Sequence, residues 1–264
     1  MKIALYQGAG KPTKVDENLA IIQHQAVTAA ERGADLIIFP ELFLTGYNIG
    51  QMVQDLAEPA DGPFCQKAAQ IAREADIAIM YGYPERLDAS VYNSALLIDR
   101  QGQTRANYRK THLYGSYEKR YFTPGDRLVI AELEDLKIGI LICYDVEFPE
   151  AVRALAQTGA HLIAVPTALM EDYCRVAEHV VPARAYESTI YIAYVNRCDS
   201  EDDLTYCGRA CLVGPDGRDI LRADESENLL VAEIDKNAIA EERKTNPILK
   251  DIRPNLYRTP VKSV

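Results

Sequence analysis

Cys143 has the setting in this sequence that most strongly suggests chemistry. It ends an apolar run in the segment IGILICYDVEFPE (138–150), where a predicted strand gives way to a predicted helix. A cysteine at such a turn can direct its sulfur at the amide N–H groups of the helix, which favours the thiolate. A thiolate at this position could act as a nucleophile, although a buried structural cysteine is the commoner fate of such a residue.

Three charged residues could complete an amide-cleaving site around that sulfur. Such chemistry needs a base to activate the nucleophile and a positive or hydrogen-bonding group for the oxyanion. Glu41 follows a buried strand and a proline, Lys110 follows NYR, and Glu118 lies in the predicted loop YGSYEKRYFTPG (114–125). Taken singly, Glu41 could be a helix cap and the other two could be solvated surface charges.

The elements that must position these residues alternate between helices and buried strands. Helices are predicted where apolar residues recur every three to four positions, and buried strands where apolar residues form short continuous runs. The predicted helices cover 16–32, 63–75 and 149–158. The predicted strands cover 2–7, 34–41, 77–85, two within 92–110, 136–143, one within 158–167, one within 184–197, two within 208–223, and 228–235.

An internal similarity places several of the polar residues at one edge of a sheet. RGADLIIFPE (32–41) resembles TGAHLIAVPT (158–167), and each has a helix-ending glycine, a buried strand and then a proline. Because proline ends strand pairing, Glu41 and Thr167 are predicted at the carboxyl ends of two strands. Cys143 ends a third predicted strand, and ligands of open α/β sheets bind at that edge.

Composition excludes several classes of partner. The 264 residues carry a net charge of −10 and no run of Lys or Arg, which argues against nucleic acid or an anionic membrane. No apolar run approaches the roughly 20 residues that span a bilayer, and no secretory signal is evident. The six cysteines form no CxxC pair and the four histidines are scattered, so no metal site is predicted. These features favour a reduced, cytoplasmic chain.

The chain is predicted to form one domain covering residues 1–264, because no stretch of it has the composition of a linker. The last segment, about 237–264, is largely polar and contains Pro247, Pro254 and Pro260. We expect it to form an extended C-terminal arm that covers a neighbour, such as another subunit.

Three sequence blocks resemble the signature blocks of the nitrilase superfamily, the carbon–nitrogen hydrolases. They are FPELFLTGY (39–47), YRKTHLYGSYEKRYFTPG (108–125) and ICYDVEFPE (142–150). The resemblance implies an α/β fold, a four-layer αββα sandwich of the nitrilase type. It also implies an amidase that uses no metal or organic cofactor, acts on a small-molecule amide, and forms at least a homodimer.

The resemblance also assigns roles to residues of this chain. It implies a catalytic triad of Glu41 as the base, Lys110 as an oxyanion donor and Cys143 as the nucleophile. Glu118 corresponds to a second glutamate of the family, and the backbone N–H of Tyr144 to a second oxyanion donor. The implied reaction forms a thioester on the cysteine, releases ammonia and then hydrolyses the thioester.

The substrate class is predicted from the position four residues after the nucleophile. Glu147 stands where several relatives that bind carboxylate substrates have Arg, and an acid there would attract an amine. Further segments, such as LTGYNIG (44–50) and YGYPER (81–86), resemble bacterial 5-aminopentanamidases, which act in lysine degradation, and R-stereoselective amidases. We therefore expect hydrolysis of a short aliphatic ω-amino amide, with a pocket wall formed by Tyr47, Tyr144, Glu147, Thr167 and Ala168.

Several alternatives stay open on the sequence. Within the superfamily they are an N-carbamoyl amine amidohydrolase, a nitrilase and an ω-amidase. Outside catalysis, the chain could be a silent binding subunit. Glu147 could also simply pair with a surface cation or with a neighbouring subunit.

Overall fold

A computed structural model describes residues 1–257 of the chain, in which two β-sheets pack face to face between two layers of helices. The strands are β1 (Lys2–Gln7), β2 (Leu36–Ile38), β3 (Ala78–Leu87), β4 (Ser90–Ile98), β5 (Thr104–Arg109), β6 (Val129–Leu133), β7 (Leu136–Ile140), β8 (Leu162–Pro166), β9 (Tyr191–Val195), β10 (Ser200–Glu201), β11 (Leu204–Thr205), β12 (Cys211–Val213), β13 (Asp219–Arg222) and β14 (Asn228–Glu233). The α-helices are α1 (Val15–Glu31), α2 (Met52–Leu56), α3 (Pro63–Ala75), α4 (Gly115–Tyr121), α5 (Pro149–Gln157), α6 (Val181–Ser188), α7 (Lys236–Thr245), α8 (Ile248–Asp251) and α9 (Pro254–Tyr257).

Each main sheet has a parallel centre and antiparallel edges. Over residues 1–257 the first sheet has six strands in the order β14-β1-β2-β3-β4-β5, and the second has six in the order β13-β12-β9-β8-β7-β6. The neighbours β1, β2 and β3 run parallel, as do β7, β8 and β9. The carboxyl ends of the central strands of each sheet therefore meet at one edge, as the repeated strand–proline pattern predicted.

The two faces of the first sheet serve different layers. Ile3 and Leu5 of β1 belong to the core shared with the second sheet, whereas Ala4 and Tyr6 pack with α1 and α3. This alternation follows from the period of two of a β-strand. Helices α5 and α6 cover the outer face of the second sheet. The predicted four-layer αββα sandwich is confirmed.

Element boundaries show where local pattern was insufficient. The helix predicted over 63–75 is α3, and the one predicted over 16–32 is α1, one residue earlier at each end. Helix α4 and strand β6 were not predicted, and Glu118 lies in α4 rather than in a loop. With seven residues, α4 is too short to show a helical period. The strand predicted over 136–143 ends at Ile140.

The C-terminal segment is helical where an extended arm was expected. Helix α7 starts at the cap Asp235, whose side chain accepts a hydrogen bond from the Asn237 amide, and Ile239 anchors the helix to the core. The segment 236–245 contains mostly good helix formers, which explains why it is helical rather than extended. The part of the predicted arm from 258 to 264 lies outside the described residues, and a single domain over 1–264 stays a prediction.

Candidate active site

Three charged residues from distant parts of the chain meet in a buried cluster. Lys110 Nζ lies 2.7 Å from Glu41 Oε1 and 2.6 Å from Glu118 Oε1. All three side chains are fully shielded from solvent. A buried cation between two carboxylates is stable only with close contacts of this kind. The structure therefore brings together the three charged residues that the sequence selected.

Backbone packing fixes Glu41 at the edge of the first sheet. It follows β2 through Pro40, and its amide N–H donates to the Thr167 carbonyl at 3.3 Å, which joins the edges of the two sheets. The next residue, Leu42, has φ +48°, a conformation that costs energy for a branched side chain. A Cβ placed on Gly82 would lie 2.9 Å from Glu41 Cα, so only glycine allows this approach.

Each buried charge changes the pKa of its neighbours, and the carboxylates and the ammonium act in opposite directions. Burial lowers the pKa of Lys110, but Glu118 and Glu41 raise it more, so its pKa lies well above the ordinary value and the ammonium persists. Burial raises the pKa of Glu41, and Lys110 opposes that change. A carboxylate with a raised pKa is a better proton acceptor near neutral pH than an ordinary one.

The two oxygens of Glu41 are used differently. Oε1 accepts hydrogen bonds from Lys110 Nζ and from Asn93 Nδ2, each at 2.7 Å. Oε2 is buried and has no hydrogen-bond partner among the residues that the structure describes. Buried polar atoms are nearly always paired, so an unpaired carboxylate oxygen indicates an acceptor that is available to a ligand or a proton.

Cys143 opens a 3-10 turn, Cys143–Glu147, between β7 and α5, with φ +45°. A positive φ at a cysteine is strained and is commonest at functional sites. Burial raises the pKa of its thiol, Glu41 and Glu118 add to this effect, and Lys110 opposes it. The expectation that the turn favours a thiolate is wrong for this structure, because burial and the two carboxylates outweigh the backbone N–H of Ala168 that points to the sulfur.

Asp145 joins the cysteine turn to the segment that follows Lys110, and the sequence analysis missed it. Its carboxylate accepts from the Tyr108 hydroxyl at 2.8 Å, the Ile142 amide at 3.0 Å and the His112 amide at 2.9 Å. Every oxygen has a partner and the side chain is fully buried. An acid two residues after the candidate nucleophile, in a largely apolar context, was the available signal.

Three of the five predicted pocket residues contact the charged cluster or the thiol. The Tyr47 hydroxyl donates to Glu118 Oε1 at 2.7 Å. Thr167 contributes the carbonyl that accepts from Glu41, and Ala168 contributes the amide that faces Cys143.

Tyr144 and Glu147 lie on the more exposed side of the site. The Tyr144 ring packs edge-on to Tyr114 at 5.3 Å and to Phe148 at 5.0 Å. Glu147 is half-buried, and burial raises the pKa of its carboxyl, while Arg184 and Lys110 lower it. Arg184 donates to the backbone carbonyl of Glu147 at 2.8 Å rather than to its carboxylate. Within residues 1–257 that carboxylate has no hydrogen bond or ion pair.

Residues 1–257 contain no group of three or more His, Cys, Asp or Glu side chains arranged to hold a metal ion. No helix in the same range is sufficiently long and apolar to cross a membrane.

Comparisons with known proteins identify the family of the chain. Residues 2–244 match the family model described as carbon-nitrogen hydrolase. The protein named hydrolase in pqqF 5'region from Pseudomonas protegens is 46% identical over 260 residues, which cover 97% of this chain and 90% of that protein. An (R)-stereoselective amidase from a Pseudomonas species is 37% identical over 254 residues, covering 96% of this chain and 92% of its own.

A solved structure is similar over nearly the whole chain. The amidase from Nesterenkonia sp. AN1 has a TM-score of 0.88 and 35% identity, and the alignment covers 98% of this chain and 95% of that one. In that structure, the acetamide moiety of fluoroacetamide is covalently added at the active site cysteine.

Proposed function

This chain belongs to the carbon–nitrogen hydrolase family and is an amidase of the nitrilase superfamily, and we propose that Glu41, Lys110, Glu118 and Cys143 carry out its reaction through a thioester. The observation that carries the assignment is the unpaired, buried Oε2 of Glu41. It supplies a proton acceptor next to a thiol that is protonated in the resting enzyme, because burial and Glu41 raise the pKa of Cys143. A protonated thiol needs such a base.

Acylation starts when the Cys143 sulfur attacks the amide carbon and Glu41 Oε2 takes the thiol proton. The ammonium of Lys110 has three N–H bonds, of which Glu41 and Glu118 each occupy one. The third can donate to the oxyanion, together with the backbone N–H of Tyr144. Removing one donor of this kind typically reduces the rate by about 100- to 1,000-fold.

Collapse of the tetrahedral intermediate breaks the C–N bond as Glu41 returns the proton to the leaving nitrogen. Ammonia departs and the acyl group stays on Cys143 as a thioester. Glu41 then takes a proton from water, the hydroxide attacks the thioester, and the carboxylic acid leaves with the thiol restored. The overall reaction converts an amide and water to an acid and ammonia, and Glu118 holds Lys110 in place throughout.

The preferred substrate is a short aliphatic amide with a terminal amine, as in 5-aminopentanamide. Glu147 supports this proposal, because its carboxylate is half-buried and forms no hydrogen bond or ion pair within the described chain. The neighbouring rings of Tyr114, Tyr144 and Tyr173 form an aromatic edge beside the site. Aromatic faces and a carboxylate together favour an alkylammonium group.

A substrate panel tests this proposal. Ammonia release is measured for 5-aminopentanamide, pentanamide, glutaramate, N-carbamoylputrescine and pentanenitrile, with the wild type and Cys143→Ala. We expect kcat/KM for 5-aminopentanamide to exceed that for pentanamide, which has the same carbon chain without the terminal amine, by about tenfold or more, an effect of the size of one charge pair. Glu147→Gln should remove this difference, and the matched control Glu150→Gln, at an exposed acid of α5, should keep it.

The other outcomes select the alternatives. A preference for glutaramate over 5-aminopentanamide would overturn the role of Glu147 and favour an ω-amidase. Carbon dioxide released together with ammonia would favour an N-carbamoyl amine amidohydrolase, and turnover of the nitrile alone would favour a nitrilase. Full activity of Cys143→Ala would contradict the thioester mechanism for any substrate.

We also propose that the enzyme acts in the cytoplasm as a homodimer or larger homo-oligomer, with a place in lysine degradation. The cysteines support a reducing compartment, because all six lie in the described range as free thiols. Exposed large apolar side chains such as Tyr186 and Ile220, each 47% exposed, support a subunit interface. Light scattering coupled to size exclusion would show a single monomer mass if the oligomer proposal is wrong.

A further inference from the structure

A second buried charge cluster lies behind Tyr47, on the small hairpin formed by β10 and β11. Glu201 is 3% exposed and Arg197 is fully buried. Arg197 Nη1 lies 2.6 Å from Glu201 Oε1, and its guanidinium also bonds Asp199 through Nε at 2.9 Å. Burial alone lowers the pKa of Arg197, but Asp199 and Glu201 raise it more, so the guanidinium remains charged. The proposed mechanism uses none of these groups.

Glu201 holds the main chain of the loop that carries Tyr47. Its Oε2 accepts from the amides of Tyr47 at 3.0 Å and Asn48 at 2.8 Å, and also from the Tyr206 hydroxyl at 2.8 Å. A Cβ on Gly46 would lie 2.9 Å from Glu201 Oε1, and Gly46 has φ +94°, so this loop and the carboxylate are packed too closely for any other residue. The carboxylate therefore determines where the Tyr47 backbone lies.

Tyr47 transmits that position to the charged cluster of the active site. Its hydroxyl donates to the same Glu118 oxygen, Oε1, that Lys110 Nζ contacts. Tyr117, the residue before Glu118 in α4, fixes the loop from its other side, because its hydroxyl donates to the Tyr47 carbonyl at 2.9 Å and accepts from the Gly50 amide at 3.0 Å. An unbroken series of short contacts thus runs from the hairpin to Glu118.

We propose that Glu201 and Arg197 are positioning residues for amide hydrolysis, which act through the Tyr47 loop on Glu118 and thereby on Lys110. The inference rests on the proposed role of Glu118 and Lys110 in that reaction. It assigns a part in the reaction to a hairpin that contributes no side chain to the reacting atoms. A purely structural carboxylate would affect folding stability alone, whereas a positioning one affects the turnover of folded enzyme.

A double-mutant cycle separates the two roles. Glu201→Gln and Tyr47→Phe are made singly and together, and kcat and KM are measured with butyramide, whose hydrolysis needs no ammonium contact. In the wild-type background we expect Glu201→Gln to lower kcat about tenfold, with KM changed less than about twofold, because a hydrogen bond to a charged group is lost. In the Tyr47→Phe background the same change should lower kcat less than about twofold, since the transmitting hydroxyl is already absent.

A matched control shows what loss of a buried structural carboxylate does by itself. Glu58 is 7% exposed and accepts from the amides of Phe64 and Cys65 at 2.9 Å each, and neither hydrogen bond involves the catalytic cluster. Glu58→Gln should lower the melting temperature and leave kcat of the folded protein unchanged. If Glu201→Gln folds poorly, Tyr206→Phe, which removes one donor to Glu201, should lower kcat about threefold, again only when Tyr47 is present.

The inference would be overturned if Glu201→Gln lowered kcat by the same factor in the wild-type and Tyr47→Phe backgrounds. It would also be overturned if Glu201→Gln lowered the melting temperature without any change in kcat. Failure of the proposed function has a different signature. In that case Glu118→Gln itself would retain wild-type kcat, whatever Glu201→Gln does.

Discussion

Within residues 1–257, Lys110 and Arg197 are each buried between two carboxylates, and the two clusters differ in whether every carboxylate oxygen has a partner. Lys110 lies between Glu41 and Glu118, and one oxygen of Glu41 has no hydrogen-bond partner within the described residues. In the cluster of Arg197, both oxygens of Asp199 and both of Glu201 have partners. A buried cation with two carboxylates therefore leaves one carboxylate oxygen unpaired in the first cluster and none in the second.

The choice of cation fits this difference. The guanidinium of Arg is a planar fork that bonds a carboxylate through two nitrogens, as it does with Asp199, and it holds one geometry. The ammonium of Lys is a compact charge with three donors, which can serve two carboxylates and still reach a third acceptor. The single geometry of Arg suits a cluster that holds a loop in place, and the third donor of Lys suits a site that binds a developing oxyanion.

The largest expected effect comes from exchanging one carboxylate of each cluster for its amide. Glu41→Gln should lower kcat about 1,000-fold or more, because it removes the proposed general base. Its melting temperature should fall by less than about 3 °C, since burial, which raises the pKa of Glu41, makes its charge costly in the folded state. Asp199→Asn should do the reverse, lowering the melting temperature by about 5 °C or more and kcat less than about fivefold.

Calorimetry and steady-state kinetics on the two variants check this contrast. If Glu41→Gln were strongly destabilised yet active, or Asp199→Asn stable yet inactive, the division between a reactive and a structural cluster would be wrong.

A smaller effect should appear in the pH dependence of kcat/KM. Glu41 must be ionised to act as a base, so activity should fall as the pH drops through its raised pKa, which puts the acid limb above the ordinary glutamate value of 4.5. The hydrogen bond from Asn93 lowers the pKa of Glu41, so Asn93→Leu should move this limb to higher pH. The matched control is Asn107→Leu, on the neighbouring strand β5. It removes the acceptor of the Tyr83 hydroxyl and should leave the acid limb in place.

An acid limb that stays in place in Asn93→Leu would show that another group controls it. A shift to lower pH would contradict the sign of the hydrogen bond to Glu41.

The parts of the site that the sequence predicted are those encoded by local segments. Glu41, Lys110 and Cys143 each follow a strand within a short characteristic block, so their types and neighbours sufficed. The link between Tyr47 and Glu201 joins residues 154 positions apart, and no local pattern contains it. The raised pKa of the Cys143 thiol escaped prediction for a similar reason, because Glu41 and Glu118 approach it only in the folded chain. A strand–turn–helix segment alone indicated the opposite shift.

The fold shows the same division. The alternation of buried strands and helices predicted most strands and the edge at which the polar residues gather, whereas the two-sheet sandwich was implied by the resemblance to the nitrilase superfamily. The short helix α4 escaped prediction, although it carries Glu118, because its seven residues are held in place by tertiary contacts such as those of Tyr117. The segment that forms helix α7 was expected to be extended, because its polar composition and the prolines C-terminal to it outweighed its good helix formers and its Asp235 cap in the prediction.

The most direct test of the central claim is a rapid-mixing experiment with 4-nitrophenyl butyrate, followed by acid quenching and peptide mass mapping. An activated ester should acylate the enzyme faster than water removes the acyl group. We expect a burst of one nitrophenolate per active site and a butyryl group on the peptide that contains Cys143, with both absent in Cys143→Ala. A burst that survives in Cys143→Ala, or a butyryl group found on another side chain, would contradict it.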